Sequence, residues 1–249
     1  MVASATSENF VRLLGVTDQE SDRIAAALAE ARPPIRRDGD TIEFPRAIAN
    51  VSWPSYLQLL DALGDHRLRH TYADGELKMS PRKDHDWVGR FFGRIVQTIT
   101  FELNLPIQCI GSTTITCGDL QRGFEPDEAY YLASEPKVRG KRLFEPDIDP
   151  PPDLIIEIDV TNNSEDRLAS FAVMGVPEVW RHENDNTVNY WLDESGEYGV
   201  SPHSRSFPFL AAEDLDRFAE MISEVSENDV IREVIKFARA SEQPGDDGS

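Results

Sequence analysis

The sequence predicts an α/β protein built on a mixed central β-sheet. Three observations carry this. The run PPDLIIEIDV (151–160) is apolar and rich in isoleucine, as in a strand buried on both faces. Residues 84–103 repeat large apolar side chains every four positions at Trp87, Phe91, Ile95 and Ile99, and Phe92, Val96 and Leu103 widen the stripe into a helix face. Strand and helix signals then follow one another without strict alternation, which points to a mixed sheet.

Taken in order, residues 1–50 read as an N-terminal helical and irregular extension. A helix over 18–31 would bury Ile24, Leu28 and several alanines before RPPIRRDGD breaks it. The stretch WPSYLQLLDAL (53–63) reads as a short helix. In RHTYADGELKMSP, Asp74-Gly75 marks a hairpin turn. The long helix over 84–103 ends before Pro106, and IQCIGSTTITC (107–117) reads as one extended segment with Cys109 and Cys117 as small apolar fillers on a common face. GFEPDEAYYLA gives a turn and then a strand near 128–132, followed by the strand at 154–160. A helix over about 164–174 is capped by Asn163 or Ser164, carries Glu165 and Asp166 at its positive end, and stops at Gly175. PEVWRHE and TVNYWLD are two further strands, and helices near 213–222 and 227–240 follow. The main domain is expected over 51–215, C-terminal helices over 216–240 and a disordered acidic tail over 241–249. Trp53, Trp87, Trp180 and Trp191 are expected in core packing.

The 249 residues carry a net charge of -20, with 40% hydrophobic and 28% charged residues, enough apolar content for a sizeable core. Such a charge repels DNA at long range, because phosphate contacts need clustered cations. Local clusters that oppose it are Arg67, Arg69, Arg82, Lys83, Arg90 and Arg94, then Lys137, Arg139, Lys141 and Arg142. The two cysteines match no metal or redox spacing and fit a reducing compartment. The opening MVASATSENFVRLLGVTDQE lacks the pattern of a secretory signal, and no apolar run is long enough to span a bilayer, so a cytoplasmic protein without membrane contact is expected. Homodimerisation stays open.

The strand at 154–160 poses the chemical question. Leu154, Ile156, Ile158 and Val160 alternate to one face, and Ile155, Glu157 and Asp159 to the other. Desolvating each acid costs several kcal/mol unless it is paired. A nearby Arg or Lys offsets this, and so does a divalent cation, since hard metals take oxygen ligands. A solvated strand end is the plain alternative. Asp127, in Glu125-Pro126-Asp127, opens the preceding strand and is the preferred partner for Glu157. The competitors are Asp147, in a proline-rich loop, and Asp153, too far along the same strand to chelate jointly. Glu76 closes the DGEL turn, and His85 begins the long helix.

The segments YADGELKMSP, GFEPDEAYYL, PPDLIIEIDVTNNS and GVPEVWRHE, in that order, resemble the Uma-type restriction endonuclease family over about residues 52–215. The resemblance implies a restriction-endonuclease-like core of the PD-(D/E)XK type, a bacterial setting, and DNA hydrolysis with Mg2+ or Mn2+. It implies that Asp127 and Glu157 ligate the metal and that Glu76 is a further ligand. The motif lysine is expected two residues after Glu157, where this chain has Asp159, or on the following helix, where it has Arg167. Arginine can stabilise developing charge but cannot act as a base, since its pKa exceeds about 12. Activation of water then falls to the metal alone or to Asp159. A weakened or inactive nuclease fold serving as an interaction module is the alternative, and pairing of Arg167 with Glu157 or Asp159 is compatible with both.

Overall fold

The computed structural model describes residues 9–64, 68–81, 87–111, 113–141, 145, 148–159 and 165–242, without the side chains of Pro81, Asp159, Glu165, Asp166 and Glu242. In chain order the elements are β1 (Phe10–Leu13), α1 (Asp18–Ala27), β2 (Arg36–Asp38), β3 (Thr41–Pro45), β4 (Ala47–Ile48), α2 (Trp53–Leu63), β5 (Leu68–Ala73) and β6 (Glu76–Pro81). Then come α3 (Trp87–Glu102), β7 (Gln108–Cys109), β8 (Ile115–Cys117), β9 (Arg122–Phe124), β10 (Glu128–Tyr131), α4 (Glu135–Val138) and β11 (Leu154–Asp159). Last are α5 (Glu165–Val173), β12 (Glu178–Glu183), β13 (Asn186–Leu192), β14 (Tyr198–Ser201), α6 (Ala212–Met221) and α7 (Glu227–Glu242). The α/β class with a mixed sheet is the one expected. No helix among the described residues is long and apolar enough to cross a membrane.

The chain divides into two compact units, residues 1–83 with 115–125, and residues 84–114 with 126–249. The first holds two antiparallel sheets, ordered β1-β3-β2 and β4-β6-β5-β9-β8. Asp74 and Gly75, with φ of 51° and 78°, make the β5–β6 hairpin turn, a backbone that glycine adopts without strain. Helix α1 begins with a capping box in which Thr17 Oγ1 accepts from Glu20 N–H and Glu20 Oε2 from Thr17 N–H. Val11, Ile24, Ile42 and Phe44 share one apolar cluster with Tyr56, Leu59, Tyr72 and Leu77. Residues 10–48 hold more strand than the sequence reading anticipates, because strands of two to five residues give too little alternation to register.

The second unit is organised on one six-stranded sheet, ordered β14-β13-β12-β11-β10-β7. Only β11 and β12 pair in parallel; the other neighbours are antiparallel. A parallel pair needs a crossover, and α5 supplies it. Phe92, Ile95, Val96 and Ile99 of α3 are buried with Leu154, Ile156 and Ile158 of β11, and α6 and α7 add Leu215, Phe218, Val230 and Val234 to the same core. Each such side chain contributes roughly 1.5–3 kcal/mol on burial.

Several details depart from the sequence reading. The stretch 107–117 is not one strand. Cys109 lies in β7 and Cys117 in β8, which belong to different sheets, and Cys109 is exposed. Trp180 is fully buried, but Trp87 and Trp191 are 43% and 36% exposed and are not core residues. Asp153 accepts from Leu132 and Ser134 N–H at 2.7 and 2.8 Å and holds the end of β10. His85, Asp147, Asn163 and Ser164 lie outside the described residues.

Two packing features can be tested. In the first unit Tyr56 lies against Gly123, so a Cβ there would sit 2.2 Å from its hydroxyl and 2.7 Å from its ring. Gly123→Ala should lower stability by about 1–3 kcal/mol in chemical denaturation; an unchanged midpoint would contradict this packing. In the second unit the fully buried Glu178 accepts from Trp180 Nε1 and Arg205 N–H on one oxygen, and from Ser206 N–H and Oγ on the other. Glu178→Ala strands these donors and should cost about 3 kcal/mol or more. A loss below about 1 kcal/mol would show that the acid is not what anchors the 204–206 segment.

Candidate active site

β11 lies inside its sheet, between β10 and β12. Its Leu154, Ile156 and Ile158 enter the core beneath α3, so by alternation Glu157 faces the other way. Glu157 is only 6% exposed. A lone carboxylate there would cost several kcal/mol. The compensation comes from the crossover helix. Arg167, in the first turn of α5, donates from Nη2 to Glu157 Oε1 at 2.6 Å, and its guanidinium lies 5.7 Å from the centroid of the Phe171 ring. The strand–helix–strand connection thus returns a cation to the acid that precedes it.

Asp127 stands in the bend before β10. Within the β10–β11 ladder Glu128 pairs with Ile156, so the next step outward sets position 127 opposite position 157. Asp127 Oδ2 accepts the N–H of Ile158 at 2.8 Å, where a ladder carbonyl would otherwise stand. Its carboxylate is therefore anchored on the peptide that follows Glu157. Helix α3 comes in at contact distance here: a Cβ on Gly89 would lie 3.2 Å from Ile158 Cγ1 and 3.9 Å from Asp127 Cβ.

The donor set is two carboxylates, each using one oxygen in the bonds just described. Hard oxygen donors suit Mg2+ or Mn2+, and Mg2+ is usually held by one or two carboxylates with water and substrate phosphate completing its shell. The two acids meet at the Ile158 peptide, Asp127 on its N–H and Glu157 as the residue before it. Among the described residues, no group of three or more His, Cys, Asp or Glu side chains is arranged to hold a metal, so an all-protein cage is not built from them.

The remaining expected residues fall as follows. Glu76 opens β6 in the other compact unit, where Lys78 Nζ lies 3.5 Å from its Oε2 and its side chain is half exposed. Asp159 ends β11 and pairs with Glu183 through the backbone; its side chain lies outside the described residues, as does the whole of His85. One residue escaped the sequence reading. Arg181 of β12 stands in register beside Glu157 and donates from Nη2 to Glu183 Oε2 at 2.5 Å. The available signal was an arginine two residues after the buried Val179 in EVWRHE, in phase with the strand's inward positions. The Glu157 face of the sheet thus holds two guanidinium groups.

Residues 53–216 match the model of the Uma2 family, described as "Putative restriction endonuclease". The match takes in α2, the β5–β6 hairpin, Asp127, Glu157 and Arg167. No curated protein matches the chain. Among solved structures, the chain is similar to the crystal structure of a putative nuclease belonging to DUF820 from Anabaena variabilis, at 17% identity, over 59% of this chain and 89% of that one, with a TM-score of 0.42. With well over half of its 249 residues inside the matched segment, the chain belongs to the Uma2 family of putative restriction endonucleases.

Proposed function

We propose that this chain is a metal-dependent endonuclease that hydrolyses phosphodiester bonds of DNA, with Asp127 and Glu157 as ligands of Mg2+ or Mn2+ and Arg167 as its charge-stabilising cation. One observation carries the reading: the anchoring of Asp127 on the peptide next to a buried Glu157 that a guanidinium already meets. A bound divalent ion would supply Lewis acidity and lower the pKa of a coordinated water. The chain's own residues do the rest. Asp127 is oriented by the Ile158 N–H, so its carboxylate keeps one direction without substrate. Arg167 neutralises Glu157 in the resting site and offers planar donors to phosphate oxygens as charge grows on them. Arginine does not take up a proton, so activation of water falls to the bound ion alone or to Asp159, two residues along β11. Glu76 stays in its ion pair with Lys78 in this reading.

A second reading is an inactive nuclease fold that serves as an interaction module. The Arg167–Glu157 ion pair favours it, since it occupies one of the two acids, and so does the net charge of -20, which repels DNA at long range.

A nicking assay on supercoiled plasmid with Mg2+ or Mn2+ separates the two. The endonuclease reading expects nicking that Asp127→Ala abolishes, and a Mn2+ binding heat that Glu157→Gln removes. Equal nicking by wild type and Asp127→Ala, or no Mn2+ heat in the wild type, would end it. Replacing the cation tests its role. Arg167→Lys should keep activity within about tenfold, whereas Arg167→Met should lower kcat by about 10²–10³. A Met variant as active as wild type would remove Arg167 from the chemistry.

A further inference from the structure

Successive residues of β12 serve opposite faces of its sheet. Arg181 lies beside Glu157, and His182 lies beside Ile158, where its ring meets the edge of Phe92 with centroids 5.3 Å apart. His182 is 6% exposed. Its Nδ1 lies 2.9 Å from Thr187 Oγ1. That hydroxyl donates to Asp216 Oδ1, and the other Asp216 oxygen accepts the Thr187 N–H at 3.1 Å. With its proton given to a carboxylate, the hydroxyl can only accept from the ring. Nδ1 therefore carries the hydrogen, and Nε2 presents a lone pair. Among the described residues nothing bonds to Nε2. Tying the β12–β13 hairpin to α6 needs only Nδ1, so the open Nε2 is left without a structural task.

The ring forms part of the wall of a cleft of about 400 Å³. Trp87, Val88 and Ile222 make its apolar side, Asp185 and Glu220 are its exposed acids, and among the described residues no lysine or arginine lines it. Trp87, at 43% exposure, keeps part of its indole open to solvent. We infer that this cleft binds a small organic cation, a protonated amine or guanidinium on a short apolar stem, with its N–H groups donated to His182 Nε2 and the carboxylates of Asp185 and Glu220. The lining supplies acceptors and negative charge, which select donors and positive charge. The indole of Trp87 attracts a cation lying over it, and the volume suits a small ligand. Burial holds His182 below the ordinary histidine range, against the opposing pull of Asp216 and Asp185, so near neutral pH the ring does not repel a cation. A metal ion is the poorer match, because among the described residues no three of these side chains are grouped to hold one. This site lies on the opposite face of the sheet from Glu157 and does not depend on the nuclease reading.

The test uses the full chain labelled with ¹⁵N at histidine, and agmatine as the probe. Calorimetry should give saturable one-to-one binding, and the His182 Nε2 resonance should shift with the same midpoint. Asp185→Asn and Glu220→Gln alter only exposed acids, leave the fold intact, and should each weaken agmatine about tenfold. N-butylurea, of similar size but uncharged, should not bind. No saturable agmatine response up to about 10 mM would overturn the assignment. So would equal binding of N-butylurea, unchanged affinity in both acid variants, a His182 response to Zn2+ alone, or binding of an arginine-bearing peptide without binding of the free amine.

Discussion

A strand covered on both faces does not hold a carboxylate unless another group meets it, and much of the second unit answers that demand at Glu157. The parallel pairing of β11 with β12 requires a helical crossover, and the first turn of that helix delivers Arg167 to Glu157. The same pairing brings Arg181 alongside. On the other flank, the antiparallel ladder with β10 ends where Asp127 caps the Ile158 N–H. The arrangement is thus a by-product of how the sheet is wired: one acid inside a dry strand, with the bend before β10, the strand β12 and the crossover helix each contributing one polar group.

A second buried acid shows what a purely structural carboxylate looks like here. Glu178 is fully buried and meets four donors, two on each oxygen, all from Trp180, Arg205 and Ser206. Its acceptor capacity is taken up by two loop backbone N–H groups, the Ser206 hydroxyl and the indole of the fully buried Trp180. Glu157 is held by one charged side chain on one oxygen. A guanidinium on a flexible stem can be displaced by a cation or turn toward a phosphate, whereas backbone N–H groups cannot. The two acids differ in chemistry because their partners differ in freedom.

Much of this was legible in the chain itself. The period of four in 84–103, the Asp74-Gly75 turn and the β11–α5–β12 succession all appear where the residues indicate them, because each is decided by local chemistry over one continuous segment. Asp127, Glu157 and Arg167 were nameable from motifs in order. The split of 107–117 was not legible, since β-branched residues fit a strand in either sheet and nothing local assigns Cys109 and Cys117 to different ones. The open position of Trp87 was hidden too: a periodic stripe marks a helix face but not how far along the helix its cover extends.

Residue order alone determined the α/β class, the main helices and the acids to inspect, because propensity, periodicity and turn chemistry act between residues a few positions apart. Only the tertiary structure decided which groups meet. That Arg181 stands beside Glu157 follows from one parallel register, and that His182 reaches Asp216 through Thr187 follows from the docking of α6 on a hairpin. A one-residue slip in that register would turn Arg181 to the other face and put His182 beside Glu157, and no local signal specifies against it. Such pairings are chosen by how the whole sheet buries its apolar face, a quantity that no short stretch of chain contains.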